Sequence, residues 1–172
     1  ADKAKQARFL TVLGALERKE PDRLHYQHTD DTSARFVKGS RAIRRLERFE
    51  TAHSVWKVLE KNGMMQTAIE KAIAIGTESG SGAALHKALC ELLKNAQDKE
   101  TKEIYEKIRK QKGDSYVNEF RLGGMEEFLL SEGNHAEAYH AFTAEEHDSY
   151  KNTLREIGKW VLPRMAELND VL

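Results

Sequence analysis

Apolar residues along this chain recur at intervals of three and four, and sustained alternation is absent. Such a period puts one apolar stripe on each α-helix and leaves no half-buried strand. In "ADKAKQARFLTVLGALERKE" the stripe is Ala7, Leu10, Leu13 and Leu16, and Pro21 closes the helix. Residues 21–39 keep no period and read as a loop. The next helix is expected from Ser40 to Lys61, with Ser40 as N-cap because its hydroxyl can accept a first-turn N–H. Its buried stripe is Ile43, Leu46, Phe49, Trp56 and Leu59, and Gly63 follows its end.

"MMQTAIEKAIAIG" forms a shorter helix stopped by Gly76, and "TESGSG" (77–82) reads as a turn or flexible linker. A long helical stretch from Ala83 to Lys112 carries Leu85, Leu89 and Leu92, then slips in period near Asp98, which predicts a break at 95–100. Shorter pieces follow: "SYVNEFRL" stopping at Gly123–Gly124, and "MEEFLLS" stopping at Gly133. Asn134 with Glu137, and Thr143 with Glu146, have the spacing of reciprocal caps, in which two side chains satisfy each other's orphan N–H groups. Pro163 is expected to kink or end the last helix. The fold class predicted is all-α: a compact bundle or orthogonal array of about six to eight helices with no sheet, in a single domain over 1–172.

Composition narrows the compartment more than the function. A chain of 172 residues with 40% apolar content can bury a real core. Its apolar runs are only a few residues long, so no membrane span is expected. Residues 1–20 mix Lys, Arg and Glu into their apolar pattern, unlike a signal peptide. The chain opens on Ala rather than Met and reads as a trimmed chain or a piece of a longer one. The single cysteine, Cys90, cannot form an internal disulfide, which suits the cytoplasm or another reducing compartment, including a host cytosol for a secreted effector. Its leucine neighbours predict a buried, inert thiol.

Net charge is zero, but its distribution is lopsided. Arg35, Lys38, Arg41, Arg44, Arg45 and Arg48 face only Glu47 between 35 and 48, whereas 114–150 holds nine acids against Arg121. With the helix starting at Ser40, Arg41, Arg44, Arg45 and Arg48 make one outward row over its first turns. Cations there oppose the helix dipole at about 0.3–1 kcal/mol each, and neighbouring arginines repel. An anion would reverse these costs, either the acidic 114–150 segment folding back or an external carboxylate or phosphate group. A solvated face with no partner is the third reading.

Two Glu-x-x-His pairs occur, Glu50/His53 and Glu137/His140. Residues three apart share a helix face, and such pairs supply ligands in ferritin-like di-iron bundles, with Glu17 and Glu91 as candidate further carboxylates. With seven His and 20 Glu in the chain, about one such pair arises by chance. "RFETAH" also resembles the Arg-x4-His spacing of HEPN-type ribonucleases, which would give His53 the 2′-OH proton and Arg48 the developing phosphate charge. "RLHYQH" repeats the spacing, and Phe49 departs from that family's usual polar residue. "MEEFLLSEGNHAEAYHAF" resembles the inter-helix turn of a tetratricopeptide-type repeat through Gly133, Ala138 and Phe142, without a second copy at 34-residue spacing. His25, His28, Asp30 and Asp31 are a polar loop with metal-ligand chemistry but no ordered spacing. "GTESGSG" lacks the Lys-Ser/Thr ending of a phosphate loop, and no cofactor motif is legible.

The leading expectation is a non-enzymatic interaction domain, an adaptor, scaffold or effector fragment. It would bind a protein partner through the arginine face or the acidic C-terminal half, with nucleic acid or a phosphorylated ligand as alternatives at the same arginines. A helical metal or ribonuclease enzyme built on Arg48, Glu50, His53, Glu137 and His140 is the competing class.

Overall fold

A computed structural model describes residues 2–18, 32–76, 81–111, 116, 118–131, 135 and 144–169. Among them are seven α-helices and no strand. They are α1 (Asp2–Arg18), α2 (Thr32–Lys61), α3 (Met65–Ile75), α4 (Ser81–Leu93), α5 (Lys99–Arg109), α6 (Leu122–Leu130) and α7 (Ala144–Asn169). None of these helices is long and apolar enough to cross a membrane. Two compact units share the chain, Ala1–Glu47 with Glu126–Leu172, and Arg48–Met125.

In the first unit α1 packs on α7. Phe9, Val12, Leu13 and Leu16 supply its buried face, whereas Leu10 is 66% exposed, so the stripe expected through Ala7 and Leu10 is rotated. Phe9 decides the rotation, because its ring bears on α7 where Gly158 leaves room for it. A Cβ on Gly158 would stand 2.4 Å from Phe9 Cε2 and 2.5 Å from Cζ. Lys5 adds a salt bridge of 3.0 Å to Glu126 of α6. α7 runs through Pro163 instead of ending there. Proline removes one main-chain donor, and beside it Arg164 Nη1 donates to the Trp160 carbonyl at 2.9 Å and its guanidinium lies 4.3 Å over the Trp160 ring.

The second unit is organised on the C-terminal half of α2, where Thr51, Ala52, His53, Val55, Trp56, Val58 and Leu59 are all buried. A helix buried around most of its circumference is a central element rather than a surface one. α2 ends where the glycine signal placed it, with Gly63 at φ +70°. α3 packs on α4 and α4 on α5. The break expected at 95–100 is present, and Asp98 caps α5 by accepting from the Thr101 N–H at 3.0 Å and its hydroxyl at 2.7 Å. Those bonds, Thr101 hydroxyl first, with help from Lys61, hold the Asp98 carboxyl at about 2.

Three expected boundaries were misplaced. α2 begins at Thr32, so Ser40 is an interior residue and not a cap. Gly39 costs only about 1 kcal/mol in a helix interior, which a 30-residue helix can carry. Ser81 and Gly82 open α4 rather than belonging to a linker, and Gly82 is buried. Gly123 and Gly124 lie in the first turn of α6 rather than stopping a helix. There the missing side chain serves close approach, since a Cβ on Gly124 would lie 2.3 Å from the Asn118 carbonyl oxygen.

Gly158→Ala is therefore expected to destabilise the first unit by about 1–3 kcal/mol despite alanine's better helix propensity. Denaturant unfolding should show the loss, and the double variant with Phe9→Leu should recover part of it.

Candidate functional site

The arginine row does not sit where the sequence put it. Because α2 starts at Thr32, Arg41, Arg44, Arg45 and Arg48 lie in the helix interior, more than two turns from its first residue and beyond its free N–H groups. The dipole cost, and the anion seat at Ser40 built on it, both fall away. The row also divides. Arg41 and Arg44 are exposed, while Arg45 and Arg48 are half-buried, so the four do not point outward together. Arg35 and Lys38 fall on α2, but their side chains lie outside the described set.

Arg48, in the second unit, meets an acid from the 114–150 run. Its Nε donates to Glu119 Oε1 at 3.1 Å, and the Asn118 N–H donates to Oε2 at 3.1 Å. Glu119 is only 6% exposed, so these donors replace the water its carboxylate lost. Beside them Trp56 Nε1 donates to the Phe120 carbonyl at 2.7 Å, and the Tyr116 hydroxyl donates to Gln111 Oε1. The rings of His86, Tyr116 and Phe120 pack together, with His86 stacked on Tyr116 at 5.2 Å and Tyr116 tilted on Phe120 at 4.5 Å. Burial pushes the Tyr116 phenol up and the His86 imidazole down, so both stay neutral near pH 7.

Arg48, Glu119, Trp56 and Tyr116 are hydrogen-bonded to neighbours, whereas the His86 ring packs on Tyr116 and Phe120 and its buried Nε2 has no hydrogen-bond partner among the described residues. The cluster ties Tyr116 and residues 118–121 to the C-terminal half of α2. His86 and Tyr116 carried no sequence signal of this packing, whereas Glu119 belongs to the acidic 114–150 run, whose charge opposite to the arginine row was the signal.

The other candidates separate as well. Glu50 is exposed while His53 is buried, so "ETAH" divides between solvent and core. The Arg48–His53 spacing therefore pairs an arginine engaged by Glu119 with a histidine turned away from solvent. Among the described residues no three His, Cys, Asp or Glu side chains are grouped to hold a metal. Glu137, His140, His25 and His28 lie outside the described residues, as does most of the tetratricopeptide-like stretch. Cys90 is half-buried rather than buried, and desolvation and Glu91 push its thiol up, so it is no activated thiolate. A surface cleft of about 610 Å³ runs along α5, lined by Gln97, Lys99, Lys102, Glu103, Glu106, Lys107 and Lys110. Its walls come from α5 and the turn before it, and its acids pair locally, Glu106 with Arg109 at 2.8 Å and Glu103 with Lys99 at 3.9 Å.

Comparisons with protein-family models, with curated proteins and with solved structures find no match for this chain. Function therefore rests on the residues alone.

Removing one side of the Arg48–Glu119 pair should cost more than removing both. Arg48→Met leaves a buried carboxylate without its cation and is expected to cost about 1–3 kcal/mol, reduced from the fully buried case because Arg48 is partly exposed. Adding Glu119→Gln should recover most of that loss in a urea-unfolding double-mutant cycle.

Proposed function

We propose that this chain is a non-enzymatic helical interaction domain that binds an acidic protein surface through the exposed arginines of α2. What carries the reading is that Arg41 and Arg44 stand exposed within one turn of each other in the middle of a 30-residue helix. A helix interior presents two guanidinium forks at fixed spacing, and each fork can take a carboxylate through two parallel hydrogen bonds.

Protein is favoured over nucleic acid for two reasons. A duplex-binding face commonly neutralises six or more phosphates, a longer row than these arginines make. The aromatic residues Phe49 and Trp56, which could stack on bases, are buried in the core. The engagement of Arg48 by Glu119, the burial of His53 and the exposure of Glu50 favour a binding module over an enzyme built on those side chains.

The experiment uses polyglutamate as the acidic probe and single-stranded RNA as its competitor, each titrated over a salt series. Polyglutamate should bind at low salt and weaken as salt rises, and Arg41→Glu with Arg44→Glu should reduce its affinity about tenfold or more. Absence of binding, or binding unchanged by the double substitution, overturns the proposal. Preference for RNA with the same arginine dependence would move the function to nucleic-acid binding.

A further inference from the structure

We propose that His135 is an acid-sensitive catch of the unit formed by 1–47 and 126–172: neutral, it is seated against α6 and α7, and on taking a proton from solvent it loses that seat.

His135 is fully buried. Its Nδ1 is 2.9 Å from the Tyr150 hydroxyl of α7, and its ring meets the edge of Phe128 of α6 at 4.8 Å between centroids. Nε2 is buried without a hydrogen-bond partner. A neutral imidazole can satisfy this seat, using one nitrogen toward Tyr150 and leaving the other as a bare acceptor or a single orphan donor. An imidazolium cannot. Both nitrogens then carry protons, and the Nε2 proton has no completed hydrogen bond in a site closed to water.

The charged and titratable described groups that face the ring are Arg45 from α2 and Tyr150 from α7, while α6 presents Phe128 and Leu129. No carboxylate is among them. The Phe128 and Leu129 carbonyls favour the charged form without completing a bond at Nε2, and the Arg45 charge opposes it. Burial dominates and pushes the imidazole down to about 4.

The sign follows by linkage. An opened segment has an ordinary histidine near 6.5, whereas the seated one holds back from protonation until about 4. Stability from the neutral seat is complete above 6.5 and is lost as pH falls from there through 4. Between pH 7 and pH 5 the opening constant should rise roughly 20-fold from this one group. His147 is also buried in this unit, and a comparison of proteins that differ only at residue 135 sets it aside.

Hydrogen exchange of the α7 amides around Tyr150, corrected for intrinsic rates, separates the two contributions. Protection in the wild type should fall between pH 7 and pH 5 by roughly 20-fold more than in His135→Gln, which keeps a hydrogen-bonding side chain that does not titrate. Equal falls in both proteins overturn the proposal. Should His135→Gln fail to fold, the His135 ring resonances of the wild type decide. A midpoint near 6.5 in the folded protein overturns the catch, and a neutral ring down to about pH 5 supports it.

Discussion

A helix buried on nearly every side dictates most of the second unit. From Thr51 to Leu59, α2 presents Ala52, Val55, Trp56, Val58 and Leu59 around its circumference, and each must be covered by another element. Part of that cover comes from chain outside any helix, residues 118–121. The main-chain polar groups of those residues then need partners. Trp56 supplies one through its indole N–H to the Phe120 carbonyl. Arg48 supplies another through Glu119, whose second oxygen takes the Asn118 N–H. The polar contacts of this unit thus follow from the apolar ones, not the reverse.

The same logic explains which parts were legible beforehand. Helices α3, α5 and the end of α2 obey local signals, namely positive-φ glycines at 63 and 76 and the Asp98 cap, and these were readable. Ser40 misled because a good capping residue carries no mark that says whether it caps. The helix had already started at Thr32, over residues whose apolar period is too short to register. Gly123–Gly124 misled for a related reason. Glycine signals a stop only where the backbone turns left-handed, and at 124 it marks a close approach to Asn118 instead. Leu10 and Phe9 could not be ranked without knowing that position 158 is glycine and faces α1.

The candidate site was less legible because its partners are remote in sequence. Arg48 and Glu119 are 71 residues apart, and nothing local at either end names the other. The charge imbalance between 35–48 and 114–150 predicted attraction in bulk, yet bulk attraction does not choose pairs. Glu126, from the same acidic run, is taken by Lys5 rather than by the arginine row. Buried histidines were equally silent: His53, His86, His135 and His147 are all buried, although histidine is a residue of intermediate burial in general.

What the structure changes most is the size of the force behind the arginine face. At a helix start, four cations would oppose the dipole as well as each other, and an anion would be a strong requirement. In a helix interior the dipole contribution vanishes, because it falls off within the first turn. Only side-chain repulsion remains, at about 0.2–0.5 kcal/mol for each pair at i,i+3 or i,i+4. Arg48 is drawn away from the row by Glu119, which leaves the Arg41–Arg44 pair as its exposed part. A repulsion that small does not compel a ligand. Binding at this face, as proposed, would therefore draw on contacts the partner brings, and its strength would depend on how many carboxylates that partner aims at two fixed guanidinium forks.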